Sequence, residues 1–227
     1  MGTGEQSTPM AVLDSATVLV VRRAGSGAPG SVEVLLLRRN DRSGFVAGAT
    51  LYPGGAIDSH DALVPWSATS GERVPDAHGV AAVAAARECF EEAGILLAVD
   101  ERQRWAGRQH IDALGTSSSS SSVVPFGPFL RENGLHVPVD RFVPFGRWVT
   151  PIGASRRYDT RFFIVEAPPD TALRVDGREI VAAAWWDPHR ALEAERDGEL
   201  RFVTPTRKTL GRLAHHDLPA GVWRTRG

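Results

Sequence analysis

The sequence contains very little cysteine and lysine. One cysteine, Cys89, occurs in 227 residues, so no disulfide can form within the chain, and the cytoplasm is the expected compartment. Cys89 lies in a helical pattern without a partner histidine, which predicts a small buried side chain and not a nucleophile. Lys208 is the single lysine among 26 basic residues, so the other 25 are arginines. Arginine suits phosphate binding, although a GC-rich genome produces the same excess.

Strong net charge and long apolar runs are also missing. A formal net charge of -1 and a pI of about 6.7 exclude a general electrostatic attraction to nucleic acid or to an anionic membrane. No apolar run reaches the roughly 20 residues of a membrane-spanning helix, and residues 1–10 lack the basic start and apolar centre of a signal peptide. We therefore expect a small-molecule partner, with no nucleic acid and no membrane. A monomer and a homodimer both remain open.

Periodic patterns along the chain predict a mixture of strands and helices. Aliphatic runs at 16–23 and 32–39 flank a Gly/Pro/Ser segment, which predicts an antiparallel hairpin. Further strands are expected at 50–52, 145–150, 161–167 and 179–186. Helices are expected at 80–93, 101–114, 126–135, 188–196 and 205–214, the last with Thr204 as its N-cap. Because these elements do not alternate as βαβ units, we expect an α+β fold with a mixed sheet flanked by helices.

The chain length and its 42% hydrophobic residues suit one domain with a sizeable core. We expect this domain at 13–217, with insertions near 56–78 and 101–140, a disordered N-terminal tail at 1–12 and a C-terminal tail at 218–227. Residues 56–76 show no sustained period and are interpreted as a loop. The six serines at 117–122 are interpreted as a solvated linker, the alternative being a flexible lid.

Three glutamates in the helical segment carry the strongest chemical signal. Glu88, Glu91 and Glu92 stand at i, i+3 and i+4, which places their carboxylates on one helix face. Three like charges repel one another, and a hard divalent cation such as Mg²⁺ or Mn²⁺ removes that cost. Taken alone, the triad fits either a metal site or a solvated acidic surface.

The context of the triad resembles the Nudix box. Residues 87–95 (RECFEEAGI) match the pattern Arg-Glu-apolar-any-Glu-Glu-any-Gly-apolar, and 52–55 (YPGG) precede them. This resemblance to the Nudix hydrolases implies an α/β/α sandwich and metal-dependent cleavage of a diphosphate. It implies that Glu88, Glu91, Glu92 and the Gly54 carbonyl hold the metal. It also implies that Arg87, the fourth member of the catalytic set, orients the carboxylates.

The spacing departs from the usual box. Arg87 follows Gly55 by 32 positions instead of 14, so about 18 residues are inserted. The family also has a glutamate eight positions before the arginine, and Gly79 stands there. Asp76, Glu72 and Asp58 are available to replace this glutamate. Its absence motivates an alternative hypothesis, a catalytically silent Nudix-like module that binds a nucleotide.

The insertion resembles one branch of the family, the peroxisomal-type coenzyme A diphosphatases and their bacterial relatives. Segments 148–151 (WVTP) and 157–163 (RYDTRFF), and the stretches 179–188 and 205–213, resemble the same branch. A coenzyme A motif of related hydrolases matches only in part. Agreement is found at Leu35, Leu36, Arg39, Gly48 and 52–55, and disagreement at Leu37, Asn40 and Gly44.

This branch implies cleavage of coenzyme A or acyl-CoA to adenosine 3′,5′-bisphosphate and an (acyl-)phosphopantetheine. NADH, ADP-ribose or another nucleoside diphosphate derivative is the alternative substrate. Arg39, Tyr52, Arg157 and Arg161 are the candidate substrate-binding residues, since arginine forks suit phosphate. Glu179 is either a late acidic residue that acts as base or a surface glutamate.

Overall fold

The computed structural model describes residues 11–25, 31–42, 46–68, 76–110, 125–169, 171–175, 177–215 and 218–223. The strands of this described part are β1 (Val12–Arg23), β2 (Val32–Arg39), β3 (Thr50–Leu51), β4 (Gly54–Ala56), β5 (Trp66–Ser67), β6 (Val137–Pro138), β7 (Val143–Val149), β8 (Arg157–Glu166) and β9 (Ile180–Trp186). The α-helices are α1 (Ala77–Ala93), α2 (Phe126–Glu132), α3 (Pro188–Arg196) and α4 (Thr204–Ala214), and two 3₁₀ helices span Ser59–Leu63 and Val139–Arg141. None of these helices combines the length and the apolar character that crossing a bilayer requires.

A mixed seven-stranded sheet forms the centre of the fold. Strand β1 pairs with β2 in antiparallel fashion and with β8 in parallel fashion, and β7 and β9 lie outside these strands. The direct β1–β2 pairing covers only Val21–Arg23, after which the two strands diverge. The short β3 pairs with β2 and β4 pairs with β1 in the gap between them. This divergence opens the sheet where β4 lies.

Helices cover both faces of the sheet. Side chains of β1 alternate between the two faces, as the period of a strand requires. Val18 and Val20 join the hydrophobic cluster beneath α1. Leu19 and Val21 instead join the cluster that contains Ala191 of α3 and Leu210 and Leu213 of α4. The α+β prediction, with a mixed sheet between helical layers, is confirmed.

The acidic segment lies on α1. Alanine favours the helical conformation, and Asp76 caps the start by accepting hydrogen bonds from the His78 and Gly79 amides. Gly94 ends the helix at φ 71°, and its amide donates to the Phe90 carbonyl. All six residues at 81–86 are buried. Because five of them are alanines, the helix can pack closely against protein on every side of this segment.

Most predicted elements are found, and three details were wrong. Residues 101–107 are not helical, because the Asp100 carboxylate accepts hydrogen bonds from the Arg102 and Arg104 amides and Gln103 adopts φ 60°. Thr204 is the first residue of α4; the cap position is Val203, which makes no side-chain cap. The third error concerns residues 56–76. The sequence was interpreted as a loop there, but this segment contains the 3₁₀ helix at Ser59–Leu63 and strand β5.

The two predicted insertions contact each other. Strand β5, from the first, pairs in parallel with β6, from the second, and the Val137 amide donates to the Pro65 carbonyl. Arg131 Nη1 donates to the Leu63 carbonyl at 2.8 Å. The two segments therefore form one unit beside α1. The serine run at 117–122 lies outside the described residues, as do the last four residues, 111–114, of the helix predicted at 101–114.

The predicted domain boundaries remain a proposal. Strand β1 begins at Val12, inside the segment expected to be an N-terminal tail. In the segment expected to be a C-terminal tail, Val222 is buried in the cluster formed with α3 and α4.

The end of α1 gives a test of the fold. A Cβ on Gly94 would lie 2.8 Å from the Arg174 Cβ, whereas a Cβ on Gly134 (φ 62°) would meet nothing within 4 Å. Gly134→Ala should cost about 1 kcal/mol for the left-handed backbone, and Gly94→Ala should cost at least about 1 kcal/mol more. Urea unfolding of both variants measures the difference. Equal losses would contradict the predicted clash at Gly94.

Candidate active site

Two adjacent glycines of β4 lie close to β1 on one side and to α1 on the other. A Cβ on Gly54 would lie 2.5 Å from the Ala16 carbonyl oxygen, so the backbone of β1 requires glycine at this position. A Cβ on Gly55 would lie 2.5 Å from the Glu88 carboxyl group, so a larger residue there would force the Glu88 side chain to turn away. The acidic face of α1 therefore lies directly against the backbone of β4.

Glu92 is largely enclosed by protein. Its Oε2 accepts a hydrogen bond from the Gly54 amide at 3.0 Å. Burial raises the pKa of Glu92 to about 8, and the negative charges of Glu88 and Glu91 act in the same direction. The hydrogen bond from Gly54 and the charge of Arg39 partly oppose this rise. Without a cation, Glu92 is therefore mostly protonated at neutral pH.

The other two glutamates share one cation, the guanidinium of Arg87. Arg87 Nη1 donates to Glu88 Oε1 at 2.7 Å and to Glu91 Oε2 at 3.1 Å. Burial raises the pKa of Glu91, while the positive charge of Arg87 lowers it. Arg87 thus offsets part of the repulsion on this helix face.

Asp61 fixes Arg87 from the opposite side. Asp61 Oδ1 accepts from Arg87 Nε at 2.8 Å, and Oδ2 accepts from Arg87 Nη2 at 3.1 Å and from the Asp58 amide at 2.7 Å. The Asp61 side chain is 1% exposed and that of Arg87 is 17% exposed. Burial alone would lower the pKa of Arg87, but Asp61 and Glu88 raise it above its usual value. The guanidinium is therefore permanently charged and held in one orientation.

Asp61 makes the contact to Arg87 that is expected of the displaced box glutamate, and the three residues expected to replace it do not. Asp76 caps α1, Asp58 hydrogen-bonds to Asp61 and His60, and Glu72 lies outside the described residues. The usual glutamate stands six positions after the second glycine of the box, and Asp61 stands six positions after Gly55. The expectation of Gly79 at this position assumed that the extra residues precede the glutamate, whereas they follow Asp61.

Arg39 and Glu179 form an ion pair beside Glu92. Arg39 Nη2 donates to Glu179 Oε1, and the Asn40 amide donates to the Glu179 carbonyl across the β2–β9 pairing. Arg39 Nε is buried and has no hydrogen-bond partner among the described residues. The charge of Arg39 lowers the pKa of Glu92, which places the guanidinium near the acidic face. The candidate phosphate ligand and the candidate base are thus in direct contact.

The other predicted substrate residues lie apart from this group. Tyr52 is 2% exposed and its hydroxyl accepts a hydrogen bond from Thr209, on the α3–α4 side of the sheet. A side chain enclosed in this way does not reach a ligand, so Tyr52 is a packing residue. Arg157 Nε donates to the Thr150 carbonyl across the β7–β8 hairpin. Arg161 forms an ion pair with Asp14. In the sheet, Ala16 of β1 lies between Arg161 of β8 and Gly55 of β4.

Cys89 is buried as predicted, and burial raises its pKa well above the usual value. A thiol in this state is a poor nucleophile.

The carboxylates are not arranged around a common point. Among the described residues, no three acidic, histidine or cysteine side chains converge closely enough to hold a metal ion. Glu88 and Glu91 turn towards Arg87, and Glu92 turns towards the Gly54 amide. Like charges on one face separate in this way when hydrogen-bond donors are nearby. Metal binding at this face would require new side-chain rotamers.

A cavity of about 570 Å³ lies next to Arg87, Glu88 and Glu91. The 3₁₀ helix at Ser59–Leu63 and the start of α2 form its other walls. Its size is that of a small-molecule site.

The Asp61–Arg87 pair gives a test of this geometry. Asp61→Asn retains the size of the side chain but leaves a mostly buried guanidinium without its bidentate partner, so we expect a loss of about 2–3 kcal/mol in the free energy of unfolding. Asp58→Asn, in the same turn and exposed, should cost less than about 1 kcal/mol. Urea unfolding measures both values. Similar losses would show that the pair does not stabilise the site.

Comparison with known proteins identifies the family. The family model described as the NUDT19 Nudix domain matches residues 67–213, more than half of the chain. A crystal structure of a NUDIX hydrolase from Alicyclobacillus acidocaldarius superposes with a TM-score of 0.72 at 28% identity, covering 91% of this chain and 92% of that one.

Curated relatives include acyl-coenzyme A diphosphatases named NUDT19. The protein from Xenopus laevis is 27% identical over 228 residues, covering 81% of this chain and 60% of the relative. The protein from Gallus gallus is 25% identical over 262 residues, covering 89% of this chain and 68% of the relative. The chain thus spans about 60% of the length of the Xenopus protein. With the box segments, the sheet and the acidic face of α1 in place, this chain belongs to the NUDT19 Nudix domain family.

Proposed function

We propose that the protein is a divalent-metal-dependent pyrophosphohydrolase that cleaves coenzyme A or an acyl-CoA at its diphosphate. The observation that carries this proposal is the acidic face of α1, held against Gly54 and Gly55 and braced by the Asp61–Arg87 pair. The names of the Xenopus and Gallus relatives support the substrate class. The products would be adenosine 3′,5′-bisphosphate and an (acyl-)phosphopantetheine.

The donor set suits Mg²⁺ or Mn²⁺. Hard cations take oxygen ligands, and Glu88, Glu91 and Glu92 supply carboxylates at the spacing of one helical turn. Burial, together with the negative charges of the neighbouring glutamates, raises the pKa values of Glu91 and Glu92, so a cation at this face would stabilise the ionised carboxylates. We propose these three residues as the metal ligands, with the Gly54 carbonyl as a fourth. When bound, the metal would neutralise phosphate charge and supply an activated water.

The remaining residues would position the substrate and the ligands. Asp61 and Arg87 would keep Glu88 and Glu91 on the side facing the substrate. Arg39 would bind a phosphate oxygen, since its guanidinium lies near Glu92 and its Nε has no partner among the described residues. Glu179 pairs with Arg39 through Nη2, which holds its carboxylate beside the proposed phosphate ligand and makes it our candidate base. Arg161 remains a weaker candidate for a terminal phosphate.

The silent binding module is less well supported than the enzyme. Its motivation was the missing box glutamate, and Asp61 occupies that position with a bidentate contact to Arg87. In a module that no longer binds a metal ion, three mutually repelling carboxylates on a half-buried face would only destabilise the fold. The proposed partner is a small-molecule nucleotide diphosphate. The proposed compartment is the cytoplasm, supported by the single free and buried Cys89.

The first test is a substrate and variant panel. With Mn²⁺, the wild type should convert coenzyme A or an acyl-CoA to the two named products. Glu91→Gln and Glu92→Gln should each lower kcat/KM by about 100-fold or more, because each removes a ligand charge worth several kcal/mol. Glu193→Gln, exposed on α3, is the matched control and should have no effect. Turnover of NADH or ADP-ribose without coenzyme A would contradict the substrate, and unaltered activity in both variants would contradict the ligands.

The second test uses the pKa of Glu92. Since metal binds the ionised carboxylate, a proton competes below the pKa of about 8. The apparent Mn²⁺ affinity should increase by up to about tenfold per pH unit from pH 6 to 8 and then level off. Glu92→Gln should weaken the binding and flatten this dependence. Calorimetric titration measures it, and a pH-independent affinity in the wild type would contradict the assignment.

The same shift affects the stability of the metal-free protein. In the unfolded chain Glu92 has its ordinary pKa of 4.5, so between 4.5 and about 8 the folded state binds more protons. The contribution of Glu92 therefore makes the metal-free protein less stable as pH rises through this window. The Tm of the wild type should fall more steeply with pH than that of Glu92→Gln.

A further inference from the structure

The cavity beside the acidic face has two chemically different sides. Arg87, Glu88 and Glu91 of α1 line one side. The opposite side is mainly apolar and comes from the two insertions, with Leu63 69% exposed at its edge. These apolar lining residues are Ile57, Leu63, Val64, Pro125, Phe126 and Pro128. A diphosphate held at the acidic face would therefore extend one of its two arms along an apolar wall.

The charges of the cavity favour the neutral arm. Four carboxylates line it, those of Asp58, Asp61, Glu88 and Glu91, against the two guanidinium groups of Arg87 and Arg131. The divalent cation proposed at Glu88 and Glu91 would bring this negative excess to about zero, so the cavity offers no net attraction to the 3′-phosphate of an adenosine arm. An acylated pantetheine arm is neutral and needs no such attraction.

The shape of the lining favours an aliphatic group over a purine. Phe126 is 4% exposed, and its ring stacks on Phe90 with centroids 5.9 Å apart. Its face is therefore already covered. The other ring in the described lining, His60, is hydrogen-bonded to Asp58 at the solvent-exposed mouth. Both carboxylate oxygens of Asp61 already accept hydrogen bonds from protein groups. The described walls therefore offer a purine little surface for ring stacking and few groups that could hydrogen-bond to its edge.

We propose that this cavity is the subsite for the acyl end of the neutral arm, and that Leu63 helps determine the preference for acylated over free coenzyme A. This inference rests on the proposed function, because it assumes a diphosphate held at the acidic face. The insertion that follows Asp61 and the insertion that contains α2 build most of the wall, so they would add substrate selectivity to the chemistry proposed for the helix. Leu63 lines the cavity, and its carbonyl accepts a hydrogen bond from Arg131.

The binding test uses S-octanoyl-pantetheine, which carries the arm but no phosphate and therefore needs no metal. Calorimetry should detect binding to the wild type and to Leu63→Met, and at least about tenfold weaker binding to Leu63→Asp. Ile152→Asp is the matched control, since Ile152 is 90% exposed and lies outside the cavity lining. Absence of binding to the wild type, or equal binding by Leu63→Asp, would overturn the inference.

The kinetic test uses acetyl-, butyryl-, hexanoyl- and octanoyl-CoA alongside free coenzyme A. In the wild type kcat/KM should increase by about threefold for each methylene that the cavity buries. In Leu63→Asp the ratio of kcat/KM for octanoyl-CoA to that for coenzyme A should fall at least about tenfold. A ratio unchanged by Leu63→Asp would overturn the inference.

The two proposals can fail separately. If the wild type cleaves no coenzyme A derivative but binds the octanoyl arm in a Leu63-dependent manner, the proposed function is wrong and the subsite stands. If it cleaves coenzyme A and its thioesters at equal rates and does not bind the arm, the proposed function stands and the subsite is wrong.

Discussion

The repulsion among three carboxylates on one half-buried helix face is the constraint on which the site depends. Glu88, Glu91 and Glu92 can be kept together only if nearby groups offset their charge. Arg87 does so for two of them, and protonation does so for Glu92 while no cation is bound. Asp61 in turn prevents Arg87 from collapsing fully onto the glutamates, because it holds the guanidinium by two hydrogen bonds. The metal ion proposed for this face would therefore replace the proton of Glu92.

Close packing by small residues brings this charged face to the sheet. The Gly55 Cα lies next to the Glu88 carboxyl group, and the alanine-rich segment 81–86 of α1 is buried. A carboxylate on a helix that stood further from the sheet would remain in water, where its pKa would stay near the ordinary value. The raised pKa of Glu92 is therefore a consequence of the close packing between α1 and β4.

Sequence periodicity predicted the main strands of the sheet and α1, since these signals are local, and the resemblance to the Nudix box supplied the box residues. It failed where a side chain changes the path of the chain, as Asp100 does by capping the turn before Trp105. It also failed for Asp61, because spacing alone does not show on which side of a conserved position an insertion falls. Tyr52 is the opposite case. Its neighbours in the turn form the site, but the alternation of strand side chains directs its ring to the other face.

The position of the insertion explains how the Nudix box accommodates extra residues between Gly55 and Arg87 without losing the Asp61–Arg87 ion pair. Had the extra residues separated Gly55 from Asp61, the short path that places Asp61 against Arg87 would have been lost. Placed after Asp61, they leave that ion pair intact and pack against the second insertion through β5 and β6. The chain between Asp61 and α1 is then free to vary in length and composition without moving the carboxylates. The insertions could therefore change without moving the carboxylates that we propose as metal ligands.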